Sequence, residues 1–152
     1  MTIRCDLLEP TGDLEAAVNK LRDELLPLHA KAWAAKADNV GKPYDFNAVP
    51  FVQMWVDKAL RVFMAYKGDT PVGYIVGLTY RPMTYAAQVF AVEDWYTPEF
   101  DVETALFDYM RNALRFIGCD EIVITQGAGY RVPPISGWKV AYKAEVTHFR
   151  KE

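Results

Sequence analysis

Serine, histidine and cysteine are scarce in this 152-residue chain, and each scarcity closes off a kind of chemistry. Ser136 is the sole serine and no Gly-x-Ser-x-Gly turn surrounds it, so a serine nucleophile has no support. The two histidines, His29 and His148, come without a paired acidic motif at helical spacing, so a metal site has no support either. His29 follows an apolar helical face beside Trp33 and His148 lies in the last extended run, positions that read as packing or surface. Cys5 and Cys119 match neither metal-ligand spacing nor a disulfide framework. Both sit in apolar runs and read as buried reduced thiols, which suits a reducing compartment. No apolar stretch approaches the ~20 residues of a membrane helix. The first residues carry Arg4 and Asp6 where a signal peptide would have an apolar core. The expectation is a cytoplasmic protein with no membrane partner. The net charge is −3 and the basic residues are scattered, which argues against a nucleic-acid partner. Repeats, low-complexity tracts and charge blocks are absent, so residues 1–152 are expected to form one domain.

What is present is ordinary in amount and informative in order. With 51% hydrophobic and 24% charged residues, the chain can bury a core without a metal or disulfide to hold it. Thr2–Leu8 reads as a short strand. After the turn Thr11-Gly12-Asp13, the positions Leu14, Ala17, Val18, Leu21, Leu25 and Leu28 recur at helical spacing. Asp13 and Glu15 stand at that helix's positive end, and a second short helix follows Pro27. Asn47 is placed to cap a helix covering Phe51, Val52, Trp55 and Ala59, with Pro50 acceptable in its first turn. The period then changes. Leu60–Tyr66 and Val72–Thr79 are strand-like runs joined by Lys67-Gly68-Asp69-Thr70-Pro71, good hairpin chemistry. Ala87–Val92 is a third run, followed by an irregular acidic stretch. One strong helix comes next, with Val102, Ala105, Leu106, Tyr109, Met110, Ala113 and Ile117 on a stripe and Gly118 at its end. Glu121–Thr125 is a short β-branched strand, Gly127–Gly137 a loop, and Trp138–Tyr142 and Glu145–Phe149 two closing strands. The order predicts an α+β (mixed α/β) fold.

This order resembles the GNAT superfamily of acyl-CoA N-acyltransferases. Gly68-Asp69-Thr70-Pro71-Val72-Gly73-Tyr74-Ile75-Val76-Gly77 is similar to the family's hairpin of second and third strands. Gln88–Val92 stands where its fourth strand would, and Thr104-Ala105-Leu106 is similar to the opening of the helix that follows. Gly118–Ile124 resembles the link into the fifth strand, and Gly137-Trp138 the late Gly-aromatic pair. The resemblance implies a central, mostly antiparallel sheet flanked by helices, with the family's late helix replaced here by a loop.

In that family the pyrophosphate of acyl-CoA rests on backbone N–H groups at the start of the central helix, in an Arg/Gln-x-x-Gly-x-Gly/Ala motif. Unpaired amides and the helix dipole attract the anion, and glycines let it approach. The matching stretch here is Pro98-Glu99-Phe100-Asp101-Val102-Glu103, with Pro98 at the arginine position and Asp101 and Glu103 at the glycine positions. The motif is degenerate, and no glycine between Gly77 and Gly118 restores it under a shifted alignment. On the resemblance, acetyl-CoA is the cosubstrate of an active protein, and Val92, Asp101, Val102, Glu103 and Thr104 line its site. Asp101 also reads as an N-cap and Glu103 as a partner of the helix dipole. The general base expected at the fourth strand's end is Glu93, with Asp94 beside it, acting through a water. Solvated turn carboxylates are the plainer reading of both. For the general acid, Pro133 stands four residues before Gly137, where the family commonly has tyrosine, so Tyr130 is the candidate from a loop. Trp33, Tyr44, Phe46, Trp55, Trp95, Tyr96 and Tyr130 would gather near the acceptor-side cleft.

Two functions follow. One is an N-acetyltransferase moving an acetyl group from acetyl-CoA to an amine. The other is a binding or assembly module that keeps the fold without catalysis and has lost CoA binding. The amine, whether a small molecule or a protein, is left open by the sequence, as is the oligomeric state, a homodimer included.

Overall fold

In the computed structural model, which describes residues 2–36, 39–124 and 151, the chain opens with β1 (Ile3–Leu8). Helix α1 (Leu14–Glu24) starts where Asp13 accepts a hydrogen bond from the Ala16 amide at 2.9 Å, satisfying one orphan donor of the first turn. Helix α2 (Leu26–Ala35) follows with Pro27 in its first turn, where the missing N–H costs nothing. Helix α3 (Ala48–Val56) has Asn47 at its N-cap position, but the Asn47 side chain makes no capping bond, and the helix stops short of Ala59. Strands β2 (Leu60–Lys67) and β3 (Thr70–Tyr80) form a hairpin. Gly68, with φ of 62°, takes the first central position of its two-residue turn, where a side chain would be strained.

Strand β4 (Val89–Tyr96) runs longer than the apolar run Ala87–Val92 implied, because the acidic stretch after Val92 is still paired with β3. Helix α4 (Phe100–Phe116) ends at Gly118, φ 85°. There the Cys119 amide bonds the Leu114 carbonyl and the Gly118 amide that of Arg115, a complete Schellman motif. Strand β5 (Glu121–Ile124) is the last described element. Thr125, the loop expected in place of the family's late helix, and the expected strands Trp138–Tyr142 and Glu145–Phe149 lie outside the described residues.

The sheet order is β1-β2-β3-β4-β5, antiparallel throughout except for the parallel β4–β5 pair. The result is an α+β fold with a mostly antiparallel open sheet and helices on both faces. Central strand β2 is apolar in both directions, as burial on two faces requires. Val62, Met64, Tyr66, Tyr74 and Val76 face α1, α2 and α3. Phe63, Ala65, Ile75, Phe90 and Val92 face α4, which packs on them with Val102, Leu106, Phe107, Met110 and Leu114. The stripe read from sequence is displaced: Phe107 and Leu114 are fully buried, while Tyr109 and Ala113 are half-buried at its flank. Tyr109 uses its position to accept a hydrogen bond from the Leu7 amide on edge strand β1, at 3.0 Å. Cys119 is buried and Cys5 half-buried, both as free thiols. Among the described residues, no helix is long and apolar enough to cross a membrane.

Candidate functional site

One irregularity in β4 positions the site. Gly77 of β3 pairs with Val92, but the next pair is Val76 with Asp94, so Glu93 is an extra residue. Side chains alternate along a regular strand, which would put Asp94 on the same face as Val92, toward α4. The bulge at Glu93 reverses that parity and brings Asp94 opposite Val76, on the face covered by α1, α2 and α3. Gly77 is required beside the bulge. A β-carbon there would lie 2.4 Å from the Phe90 ring and 2.5 Å from the Ala91 carbonyl oxygen.

Asp94 is the centre of a polar cluster in aromatic surroundings. Its Oδ2 accepts from the Tyr74 hydroxyl at 2.7 Å and faces His29 Nε2 at 3.3 Å. Its Oδ1 accepts from Lys36 Nζ at 3.1 Å. Burial works against the Asp94 charge, but the bonds from His29 and Tyr74 and the Lys36 ammonium outweigh it and hold the carboxyl below its usual range. An ionised carboxylate only accepts, so His29 Nε2 carries a proton. In the neutral ring Nδ1 is then an acceptor for the Tyr44 hydroxyl, 2.8 Å away. Burial first, and the Asp94 charge second, push both the Tyr74 and the Tyr44 hydroxyl above their ordinary value, so both stay protonated. The rings of Tyr44, Phe46 and Tyr74 all lie within 6 Å of the His29 ring, and Tyr96 packs beside Tyr74.

The second feature is the start of α4. The N-cap position falls on Glu99, not on Asp101 as the sequence suggested, and the Glu99 side chain caps no amide. Asp101 Oδ1 accepts instead from the adjacent Val102 amide at 2.9 Å, and the Glu103 amide bonds the Glu99 carbonyl at 2.9 Å. Thr97 Oγ1 lies 3.5 Å from Glu103 Oε2, and Thr104 Oγ1 donates to the Phe100 carbonyl. Lys67, at the end of β2, bonds Glu99 and lies 3.6 Å from Asp101. Its ammonium is pushed up chiefly by the hydrogen bond to Glu99. Gly73 lets this end of α4 approach the sheet, since a β-carbon there would meet a Val102 methyl at 2.8 Å.

Of the residues singled out from sequence, Glu93 is the exposed bulge residue and Asp94 the half-buried hub, in strand rather than turn. Val92 and Val102 have their side chains in the core on the α4 side, so only their backbones could meet a ligand. Asp101, Glu103 and Thr104 come together on the first turns of α4. Tyr130 and His148 lie outside the described residues. Sequence reading missed the roles of His29 and Lys36. They are seven residues apart across the end of α2, a spacing that places both on one side, and this was the available signal.

No family model and no curated protein matches the chain. Solved structures do. An aminoglycoside acetyltransferase from an uncultured soil metagenomic sample, in complex with sisomicin, aligns at a TM-score of 0.68 and 12% identity over 99% of this chain and 95% of that one. Ribosomal-protein-alanine N-acetyltransferase from Brucella melitensis biovar Abortus 2308 aligns at 0.68 and 14% identity, over 99% and 100%. The aminoglycoside acetyltransferase AAC(6')-Iy, in complex with a bisubstrate analogue of CoA and acetylneamine, aligns at 0.60 and 12%, over 100% and 99%. The chain therefore has the GNAT fold, and the three structures named here are acetyltransferases.

Proposed function

We propose that this chain is a GNAT-fold protein of N-acetyltransferase lineage that no longer binds acyl-CoA tightly and works as a binding module through the face that carries Asp94. One observation carries this reading: Glu99, Asp101 and Glu103 crowd the first turn of α4, with Lys67 paired to Glu99 and Asp101. A diphosphate seated on those amides would face the carboxylates directly. The Val102 amide is already given to Asp101, and that of Glu103 to the Glu99 carbonyl. At ~5 Å and an effective dielectric near 20, one such repulsion is about 3 kcal/mol. The Asp101 side chain is 61% exposed, so solvent screening reduces that to about 1 kcal/mol. Each 1.4 kcal/mol is tenfold in affinity. The residues present do not fit the cosubstrate.

A second reading, retained acetyl transfer to an amine with acetyl-CoA as donor, draws support from the bulge. It leaves the Glu93 carboxylate exposed at the edge of β4 and turns Asp94 to the acceptor side. Calorimetric titration with acetyl-CoA separates the two. The binding-module reading expects a dissociation constant weaker than about 1 mM. It also expects that Asp101→Gly/Glu103→Gly raises affinity at least about tenfold while costing about 1–2 kcal/mol of stability, from two glycines placed in a helix. Micromolar binding by the unaltered protein overturns it. An acid-to-glycine variant that loses CoA affinity would make Asp101 or Glu103 part of a working donor site.

A further inference from the structure

Three groups of the Asp94 cluster stand in line as a hydroxyl, a base and a carboxylate. The Tyr44 hydroxyl donates to His29 Nδ1 at 2.8 Å, and His29 Nε2, which carries the proton, faces Asp94 Oδ2 at 3.3 Å. A hydroxyl held by an imidazole that a carboxylate orients is the arrangement that activates a weak nucleophile. Tyr74 is fully buried, whereas Tyr44 is 37% exposed and within reach of a ligand. The rings of Tyr44, Phe46 and Tyr74 pack around the His29 imidazole. Trp33 lies beside Tyr44, with ring centroids 6.2 Å apart, and its enclosed Nε1 makes no hydrogen bond among the described residues. Enclosed donors without an acceptor are uncommon in folded proteins.

We propose that Tyr44 is an acyl-accepting nucleophile and that the site hydrolyses small aryl esters through an acyl-Tyr44 intermediate. The Tyr44 oxygen attacks the ester carbonyl carbon while its proton passes to His29 Nδ1. The carbonyl re-forms as the bond to the aryloxide breaks, and the aryloxide takes the proton from His29. Water then attacks the acyl carbon with His29 again as base, the carboxylic acid leaves, and the proton returns to the Tyr44 oxygen. Burial and the Asp94 charge keep the Tyr44 phenol protonated at rest, so a base is needed at the moment of attack, and His29 stands there. The leaving group must be a weaker base than the Tyr44 phenolate, which selects activated aryl esters over alkyl esters and amides. Trp33 Nε1 is the donor that the oxyanion formed at Tyr44 would satisfy. Asp94 is a positioning residue, which fixes the His29 tautomer and stabilises the imidazolium. The inference rests on the reading that the Asp94 face is the ligand side, and its test makes no use of CoA.

The test treats the full chain with p-nitrophenyl acetate, quenches it in acid and maps the acetyl groups by peptide. Tyr80, the exposed last residue of β3, serves as the control within the same molecule. Tyr44 should be acetylated at least about tenfold faster than Tyr80, although its raised ionisation alone would make it the slower of the two. Release of p-nitrophenol should continue past one equivalent in the unaltered protein and fall to the spontaneous rate in Tyr44→Phe. His29→Gln should bring Tyr44 down to the rate of Tyr80. Asp94→Asn should lower kcat at least about tenfold with KM unchanged, a split that a loosened fold would not produce. A Tyr44 no faster than Tyr80 in the unaltered protein overturns the proposal, and that comparison depends on no variant. Steady release that persists in Tyr44→Phe, with the acetyl group on His29, overturns it as well. Tight acetyl-CoA binding would refute the binding-module reading while leaving these outcomes standing.

Discussion

Replacing Asp94 by alanine removes a carboxylate that joins α2 to β3 and β4, and the structure sets the size of the effect. The largest loss is at Tyr74, which is buried and whose hydroxyl loses the acceptor it has among the described residues. An unsatisfied buried hydroxyl costs about 1–3 kcal/mol. His29 loses a charge-assisted partner but keeps Tyr44, so its share is about 1 kcal/mol. Lys36 is more than half exposed and contributes about 0–0.5 kcal/mol. Relief of the desolvation that burial imposes on the carboxylate offsets part of the sum, leaving a net destabilisation of about 1–3 kcal/mol near pH 7. Its pH dependence has a definite sign. The folded-state Asp94 carboxyl is held below its ordinary value, so the stabilisation is full above an unfolded value of about 4 and is lost as pH falls through the depressed folded value. Urea unfolding of the unaltered protein, Asp94→Ala and Asp94→Asn between pH 7 and pH 2 measures this. Asp94→Asn should lose less, since its carbonyl can still accept from Tyr74. The gap between Asp94→Ala and the unaltered protein should shrink only in the most acidic part of the range. A gap under 0.5 kcal/mol at pH 7, or one that grows on acidification, would refute the reasoning.

Two further substitutions test the backbone that aims the site. Gly77→Ala should destabilise by about 1–3 kcal/mol, because its new methyl collides with the Phe90 ring and a carbonyl oxygen that cannot both retreat; an unchanged urea midpoint would contradict the bulge geometry. Lys58, between α3 and β2, has a φ of 62°, and Lys58→Gly should stabilise by about 0.5–1 kcal/mol, raising the melting temperature by a few degrees in calorimetry.

Local pattern was enough for much of the fold. The helical recurrence of Ala17 and Leu21, the Gly68-Asp69 turn and the Gly118 stop each act within a few residues, so α1, the β2–β3 hairpin and the end of α4 could be read directly. The end of β4 could not. Glu93 and Asp94 look like a polar turn in sequence, and they are strand only because β3 offers partners across the bulge. The displaced stripe of α4 has a similar origin. A helix lying across a twisted sheet buries residues such as Phe107 and Leu114 according to its docking angle, which its own period does not contain.

The candidate site divides the same way. The carboxylates at the start of α4 were legible because helix position and charge are local properties. The Asp94 cluster was not, since His29 and Lys36 lie 65 and 58 residues from Asp94 along the chain and carry no shared pattern with it. Their meeting depends on a single extra residue in β4, which turns one side chain from the α4 face to the α2 face. Parity of that kind belongs to the pairing of two strands, and it exists only once the sheet has formed.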